Sequence, residues 1–145
     1  MSEKAANPWQ GSSVLVTGIT DTASLASRVA IALQRAGASV VCAGLGPTPH
    51  QGAISEAARA YLNAAHDSFR KTVAEVLGDA TPSFAVDASI EASIVDLARA
   101  LRERGTRLAG VVHAIALDRT IRRGEAKALL DVTREEFLDC MNVSA

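Results

Sequence analysis

The segment from Val14 to Arg28 constrains the fold of this chain more than any other. Val14, Leu15 and Val16 form a short apolar run of the kind found in buried strands, and Thr17 and Gly18 end it. A polar turn follows, and apolar residues then recur on one face of a predicted helix: Leu25, Val29, Ala32, Leu33 and Ala36. A strand, a glycine turn and a helix N-terminus favour anion binding, because free N–H groups and the helix dipole attract negative charge. The same unit also occurs with a purely structural role.

The remaining chain repeats this alternation. Strands are predicted at 14–16, 38–43, 83–86 and 109–115, and helices at 25–36, 55–77, 90–104 and from Thr133 onward. The order βαβαβαβα predicts an α/β, Rossmann-like doubly wound parallel sheet with strand order 3-2-1-4. The apolar run of strand four predicts burial on both faces. We expect a flexible lead-in over residues 1–11 and one domain over residues 12–145, with a polar loop over 118–128.

Composition argues against several functional classes. The formal net charge is −1 and aromatic residues make up 3% of the 145 residues, which disfavours a nucleic-acid surface. No apolar run approaches the roughly 20 residues of a membrane helix, and the N-terminus has no secretory h-region. Cys42 and Cys140 have no cysteine or histidine at metal-ligand spacing. We therefore expect a cytoplasmic protein with reduced thiols, no metal, and no membrane or nucleic-acid partner.

The predicted topology brings several loops together. In a doubly wound sheet the ligand crevice lies at the carboxyl ends of the strands, where the strand order reverses. The residues that follow the strands there are Gly18, Ile19, Thr20, Gly44, Leu45, Gly46, Asp87, Ala88, Ala114, Ile115 and Ala116. Asp87 could accept a hydrogen bond from an adenine amino group, or it could close the turn before helix three. Leu45 and Gly46 supply neither the acid that selects NAD nor the base that selects NADP.

Other polar residues have structural interpretations. His113 lies inside an apolar strand, which favours a core histidine over a catalytic base, and His50 and His66 have no partner motif. A local basic cluster comprises Arg119, Arg122, Arg123 and Lys127. A solvated loop explains this cluster, and contact with an acidic carrier protein or a substrate phosphopantetheine is the functional alternative.

The details resemble one family. Gly18, five further residues, then Ser24-Leu25-Ala26 is similar to the Gly-x5-Ser-(Ile/Leu)-Ala turn of enoyl-acyl-carrier-protein reductases, which are divergent short-chain dehydrogenases/reductases of fatty-acid synthesis. Four further stretches are similar to motifs of that family: Gly110-Val-Val-His-Ala-Ile-Ala116 with Ala114 in place of serine, Val86-Asp87-Ala88, Asp131 to Phe137, and Asn142 to Ala145.

The resemblance implies a function and a site. Members of the family reduce the 2,3-double bond of an enoyl thioester carried by acyl carrier protein, and the resemblance favours NAD(H) over NADP(H). The positions that contact the cofactor in the family are occupied here by Gly18, Ile19, Ser24, Leu25, Leu45, Asp87, Ala88, Ile115 and Ala116. Complete members pair through later helices, so a homo-oligomer is implied for the whole protein.

The sequence also departs from the family. About 20 extra residues lie between Gly46 and Ser68, judged against typical connections. The motif that carries the family's catalytic Tyr and Lys would begin at Ala145, and Tyr61, the only tyrosine, is on another helix. We therefore expect an N-terminal, cofactor-binding half without a catalytic residue, either truncated or completed by another chain.

The sequence is also compatible with two other functions. Asn142 matches a position of ordinary short-chain dehydrogenases/reductases and suggests a ketoreductase. A non-catalytic half-domain that binds a nucleotide, or a partner through an open edge of strand four, is the other.

Overall fold

A computed structural model describes residues 7–116, 121–122 and 125–144. In chain order its elements are β1 (Ser13–Thr17), α1 (Leu25–Arg35), β2 (Ser39–Gly44), α2 (Glu56–Leu77), β3 (Ser83–Ala85), α3 (Glu91–Glu103), β4 (Leu108–Val112), β5 (Ile121–Arg122), β6 (Glu125–Ala126), a 3₁₀ turn (Leu129–Asp131) and α4 (Arg134–Ser144). The eight predicted strands and helices are all present. The predicted lead-in falls partly outside the described residues, and its described part forms a turn in which Gly11 N donates to Gly37 O.

Four strands form one parallel sheet in the order β3-β2-β1-β4, which confirms the predicted order. In the centre of the sheet Val16 of β1 is in register with Cys42 of β2 on one side and with Val112 of β4 on the other. The chain therefore reverses its direction of progress across the sheet between β1 and β4. At such a point a doubly wound sheet binds its ligand at the carboxyl edge.

Helices cover both faces of the sheet because successive strand residues point to opposite sides. One face packs against α1 and α2 and buries Val14, Val16, Val40, Cys42, Ala30, Phe69 and Val73. The other face packs against α3 and buries Leu15, Val41, Ala43, Leu97 and Leu101. Strands β1 and β2 are thus apolar on both faces, which is typical of a parallel sheet.

The prediction that strand four is buried on both faces is wrong. Val111 of β4 is 59% exposed. Helix α3 packs over β1 and β2, and β4 is the edge strand of the four-stranded sheet. An apolar run reads the same on an edge strand as on a central one, so the sequence did not distinguish the two positions.

The prediction of a core histidine at position 113 is also wrong. Strand β4 ends at Val112, and His113 is exposed beyond it. Its Nδ1 lies 3.5 Å from Thr17 Oγ1 and its Nε2 lies 3.0 Å from the carbonyl oxygen of Val143 in α4. His113 thus connects β1 with α4 instead of filling the core.

The predicted polar loop over 118–128 contains a short antiparallel pair, β5 and β6, so the loop prediction is wrong there. Charged residues dominate this segment, so its sequence did not indicate the two short strands. Of the predicted basic cluster, Arg119 and Arg123 lie outside the described residues. Lys127 Nζ forms an ion pair with Glu136 Oε2 at 2.8 Å.

Helix α2 extends past the sheet. At 1.5 Å per residue its 22 residues span about 33 Å, whereas the six residues of β2 span about 20 Å. The first turns of α2 therefore project beyond the carboxyl edge, and they account for much of the extra length between Gly46 and Ser68. Tyr61 lies in these turns and is 66% exposed. The helical spacing after Ser55 predicts Tyr61 on the inner side of this helix, and that prediction is wrong.

Helix α4 begins with a capping box, as the spacing of Thr133 and Glu136 predicts. Glu136 N donates to Thr133 Oγ1 at 3.2 Å, and Thr133 N donates to Glu136 Oε2 at 2.9 Å. Hydrogen bonds from Lys127 and from Thr133 lower the pKa of Glu136 to about 2.

Acidification is expected to loosen the start of α4. The carboxylate of Glu136 stabilises the folded chain above the ordinary glutamate pKa, and this contribution is lost as the pH falls from about 4.5 toward 2. In NMR spectra the Thr133 amide should lose its hydrogen-bonded shift over that range. In Glu136→Gln the pH dependence should vanish. A Thr133 amide shift that stays constant down to pH 2 in the unmodified chain would contradict the hydrogen bond between Thr133 N and Glu136 Oε2.

Candidate functional site

The turn after β1 depends on Gly18. Its φ is +85°, a conformation that side chains disfavour. A Cβ atom on Gly18 would lie 2.1 Å from the carbonyl oxygen of Ala114. The chain leaving β4 therefore passes directly against the turn after β1, and only glycine allows this approach.

A groove of about 290 Å³ opens above this contact. Its walls combine the ends of three strands with the overhanging part of α2, and its lining residues are Gly18, Ile19, Thr20, Gly44, Leu45, Tyr61, Ala65, Ser68, Phe69 and Ile115. Four of the predicted site residues, Gly18, Ile19, Leu45 and Ile115, thus border one groove at the switch point of the sheet.

Helix α2 supplies the wall that sequence reasoning missed. A Cβ atom on Gly44 would lie 2.7 Å from the Phe69 ring, so the absence of a side chain lets α2 pack closely on the end of β2. The absence of a side chain on Gly46 likewise lets His66 of α2 pack closely, because an added Cβ atom would lie 2.8 Å from His66 Nδ1. The length of the helical pattern after Ser55 was the one available signal, because a helix longer than the adjoining strand has to overhang the sheet.

The N-terminus of α1 lies at the end of the Gly18 turn. Ser24 is the N-cap, and its Oγ accepts from Ser27 N at 3.2 Å. The first intrahelical bond runs from Arg28 N to Ser24 O. The amides of Leu25 and Ala26 therefore have no intrahelical acceptor, which is the arrangement that binds phosphates at helix N-termini. Leu25 itself is 75% exposed.

Asp87 follows β3 and has a defined environment. Its Oδ1 accepts from Ser89 N at 3.1 Å and from Ser89 Oγ at 2.6 Å, and its Oδ2 accepts from Gln51 Nε2 at 3.2 Å. Partial burial alone would raise the pKa of Asp87, but the hydrogen bonds from Ser89 and Gln51 lower it below the ordinary value. Asp87 therefore carries a negative charge at neutral pH and closes the turn before α3.

Five of the nine predicted site residues lie outside the groove lining, namely Ser24, Leu25, Asp87, Ala88 and Ala116. One backbone contact links the end of β3 to the groove. Val86 N donates to Gly44 O at 2.9 Å, which ties the chain beyond β3 to the floor of the groove. Ala88 is half-buried beside Asp87, and Ala116 is exposed beyond Ile115. The assignment of the nine residues to cofactor contact stays a prediction.

Among the residues that the structure describes, the other polar and reactive groups do not gather into a second site. Burial raises the pKa of Cys42 to about 12, so its thiol is protonated and unreactive at neutral pH. His50 Nε2 lies 2.6 Å from Asp96 Oδ2 in α3, a partner that the sequence did not indicate. Across the described residues there is no group of three or more metal-ligating side chains. Nor does any helix among them have the length and hydropathy needed to cross a bilayer.

A larger apolar groove of about 510 Å³ lies between α3 and the start of β4. Leu15, Leu97, Leu101 and Leu108 contribute to its lining, and none of the predicted site residues does. This larger groove forms because one face of β4 is uncovered. The predicted site residues lie elsewhere, at the carboxyl edge of the sheet.

The fold is similar to that of solved enoyl-acyl-carrier-protein reductases. Similar chains include the enoyl-[acyl-carrier-protein] reductase (NADH) of Aquifex aeolicus VF5, at 22% identity and a TM-score of 0.66 over 93% of this chain and 46% of that one. FabI of Alistipes finegoldii has 19% identity and a TM-score of 0.68 over 97% of this chain and 45% of that one. The Bacillus cereus enoyl-acyl carrier protein reductase has 20% identity and a TM-score of 0.67 over 94% and 46%.

A family model matches the sequence of the chain, whereas no curated protein sequence does. The chain spans less than half the length of the structures that it resembles. The family model described as Enoyl-(Acyl carrier protein) reductase matches residues 52–145, which is more than half of the chain. Together with the doubly wound sheet and its switch-point groove, this match shows that the chain belongs to the enoyl-(acyl carrier protein) reductase family.

Proposed function

We propose that this chain binds a nicotinamide dinucleotide in the groove at the carboxyl edge and supplies the cofactor-binding part of an enoyl-acyl-carrier-protein reductase. The observation that carries the proposal is the convergence of the Gly18 turn, Leu45 and Ile115 on one groove beside the N-terminus of α1. The whole reductase would act on the 2,3-double bond of an enoyl thioester held by acyl carrier protein. The bound cofactor would supply the hydride.

Different parts of the carboxyl edge fit different parts of such a cofactor. Ile19, Leu45 and Ile115 offer apolar walls for a flat ring. The amides of Leu25 and Ala26 would bind the pyrophosphate at the start of α1. Asp87 would accept a hydrogen bond from the adenine amino group. The groove is smaller than a whole dinucleotide, so the remainder of the cofactor would extend along the carboxyl edge.

We also propose a preference for NAD(H) over NADP(H). A 2′-phosphate on the adenine ribose requires a positive charge near the end of β2. The titratable group nearest to Gly46 is His66. Burial, followed by the positive charge of Arg70, lowers the pKa of His66, so the ring is neutral at pH 7. We therefore expect NADH to bind more tightly than NADPH, with the difference narrowing as the pH falls.

Binding of NADH should depend on Ile115. Glutamate at this position places a carboxylate in the groove and repels the pyrophosphate, so Ile115→Glu is expected to weaken NADH binding at least tenfold in calorimetric titrations. Ile94→Glu is the matched control, because Ile94 is exposed on α3 and lines the other groove. Equal loss of binding in both variants, or none in Ile115→Glu, would contradict the proposed site.

The activity belongs to the whole reductase and is tested on the protein isolated from its source cells. We expect that protein to oxidise NADH in the presence of a 2,3-enoyl thioester and to form a homo-oligomer in the cytoplasm. Turnover of a 3-ketoacyl thioester without turnover of the enoyl thioester would contradict the proposed reaction and support a ketoreductase. NADH binding without any turnover would favour a non-catalytic role.

A further inference from the structure

We propose that Gln51 is a positioning residue that holds the carboxylate of Asp87 in place for the adenine end of the dinucleotide. The proposal rests on the function proposed above. It concerns the segment between β2 and α2, where the sequence departs from the family pattern, and it assigns that segment a part in cofactor recognition.

The side chain of Gln51 connects three points of the carboxyl edge. Its Nε2 donates to Gly46 O at 3.0 Å and to Asp87 Oδ2 at 3.2 Å. Its Oε1 accepts from Thr48 N at 2.9 Å. A single half-buried amide thus joins the loop after β2 to the turn after β3.

These contacts fix the orientation of the amide. An amide oxygen only accepts hydrogen bonds and an amide nitrogen only donates them. The Thr48 N–H therefore requires the oxygen on one side, and the carbonyl of Gly46 requires the nitrogen on the other. The nitrogen is consequently directed at Asp87 as a donor, and a flipped amide would lose all three bonds.

The carboxylate of Asp87 can accept a further hydrogen bond from a ligand while Gln51 orients it. An ionised carboxylate has about four acceptor positions on its two oxygens. Within the described residues Asp87 accepts three hydrogen bonds, two from Ser89 on Oδ1 and one from Gln51 on Oδ2. The remaining position is on Oδ2, the oxygen that Gln51 orients. A donor such as the exocyclic amino group of adenine matches this position.

The charge of Asp87 depends on the same contacts. The side chains that donate hydrogen bonds to its carboxylate, those of Gln51 and Ser89, are neutral, and the neutral Ser93 hydroxyl accepts from its backbone N–H. No opposite charge therefore replaces the Gln51 hydrogen bond when that bond is removed, and the pKa of Asp87 should rise.

The test compares two variants with a matched control. Gln51→Glu keeps the acceptor for Thr48 N and the side-chain shape, but it removes the donor and places a second carboxylate next to Asp87. Gln51→Met removes all three hydrogen bonds. The control is Gln34→Met, because Gln34 Nε2 also donates to a backbone carbonyl, that of Leu77, at 2.9 Å and lies away from the site. Each chain is titrated with adenosine monophosphate and nicotinamide mononucleotide, and the Asp87 carboxyl carbon is followed by NMR as the pH changes.

We expect adenosine monophosphate to bind about tenfold more weakly to Gln51→Met and more weakly still to Gln51→Glu. Binding of nicotinamide mononucleotide should stay within about twofold of the unmodified chain. The Asp87 carboxyl should titrate at higher pH in both variants and unchanged in Gln34→Met. A purely structural role for Gln51 would not produce this selectivity for the adenine half.

The outcomes separate this proposal from the proposed function. If the unmodified chain binds NADH but Gln51→Met and Gln34→Met bind adenosine monophosphate equally well, the role of Gln51 is overturned and the cofactor site stands. If Asp87 titrates identically in all four chains, the role of Gln51 is likewise overturned. If the unmodified chain binds neither NADH nor adenosine monophosphate, the proposed function itself is overturned.

Discussion

Replacement of Gly18 with alanine is expected to lower the free energy of unfolding by about 4 kcal/mol and to abolish dinucleotide binding. Two penalties combine at this position. The φ of +85° strains any residue with a Cβ atom, and the new methyl group would lie 2.1 Å from the carbonyl oxygen of Ala114. Because that oxygen belongs to the backbone, the segment leading to Ile115 has to move away and open the groove. Urea unfolding measures the first effect, and calorimetry with NADH measures the second.

Gly105→Ala provides the matched control for the Gly18 variant. Gly105 also has a positive φ, +69°, but an added Cβ meets nothing within 4 Å. This variant should therefore show only the conformational strain, about 1 kcal/mol, and should bind NADH normally. If the free energy of unfolding falls equally in both glycine variants, the contact between Gly18 and the Ala114 segment does not exclude a side chain.

Replacement of Phe69 with alanine is expected to lower the free energy of unfolding by about 3–5 kcal/mol. The Phe69 ring is 4% exposed and packs against the backbone of Gly44. Its loss leaves a cavity between α2 and the end of β2. Since Phe69 also lines the groove, NADH binding should weaken as the wall formed by α2 loosens.

Tyr61→Ala separates the two effects of Phe69. Tyr61 lies two turns earlier on the same helix and lines the same groove, but it is mostly exposed. The stability of this variant should change by less than about 1 kcal/mol, whereas NADH binding should still fall. A loss of stability in Tyr61→Ala as large as that in Phe69→Ala would mean that the first turns of α2 pack into the core.

Local chemistry accounts for the parts of the fold that were predictable. The β1–Gly18–α1 unit follows from a β-branched run, a glycine and an amphipathic helix, and the start of α4 follows from the Thr133–Glu136 capping box. The strand order follows from the alternation of strands and helices. The first two features involve residues close in sequence, and the strand order follows a general rule of chain connection, so the sequence pattern carries the necessary information.

Features that depend on tertiary placement were not predictable. Whether Val111 is covered depends on which strands α3 crosses, and the composition of β4 does not encode that. The groove wall formed by Tyr61 and Phe69 depends on the overhang of α2 beyond the sheet. The bond between Gln51 and Asp87 joins residues 36 apart. Each of these contacts appears only when the helices are packed on the sheet.

We propose above that the groove at the carboxyl edge binds a nicotinamide dinucleotide. The most direct measurement is an amide chemical-shift map of the chain titrated with NADH. We expect saturable shifts at the amides of Gly18, Ile19, Leu45, Asp87 and Ile115, with none at Leu97, Leu101 and Leu108 in the groove beside β4. Shifts confined to the groove beside β4, or no saturable shift at the carboxyl edge, would contradict this proposal.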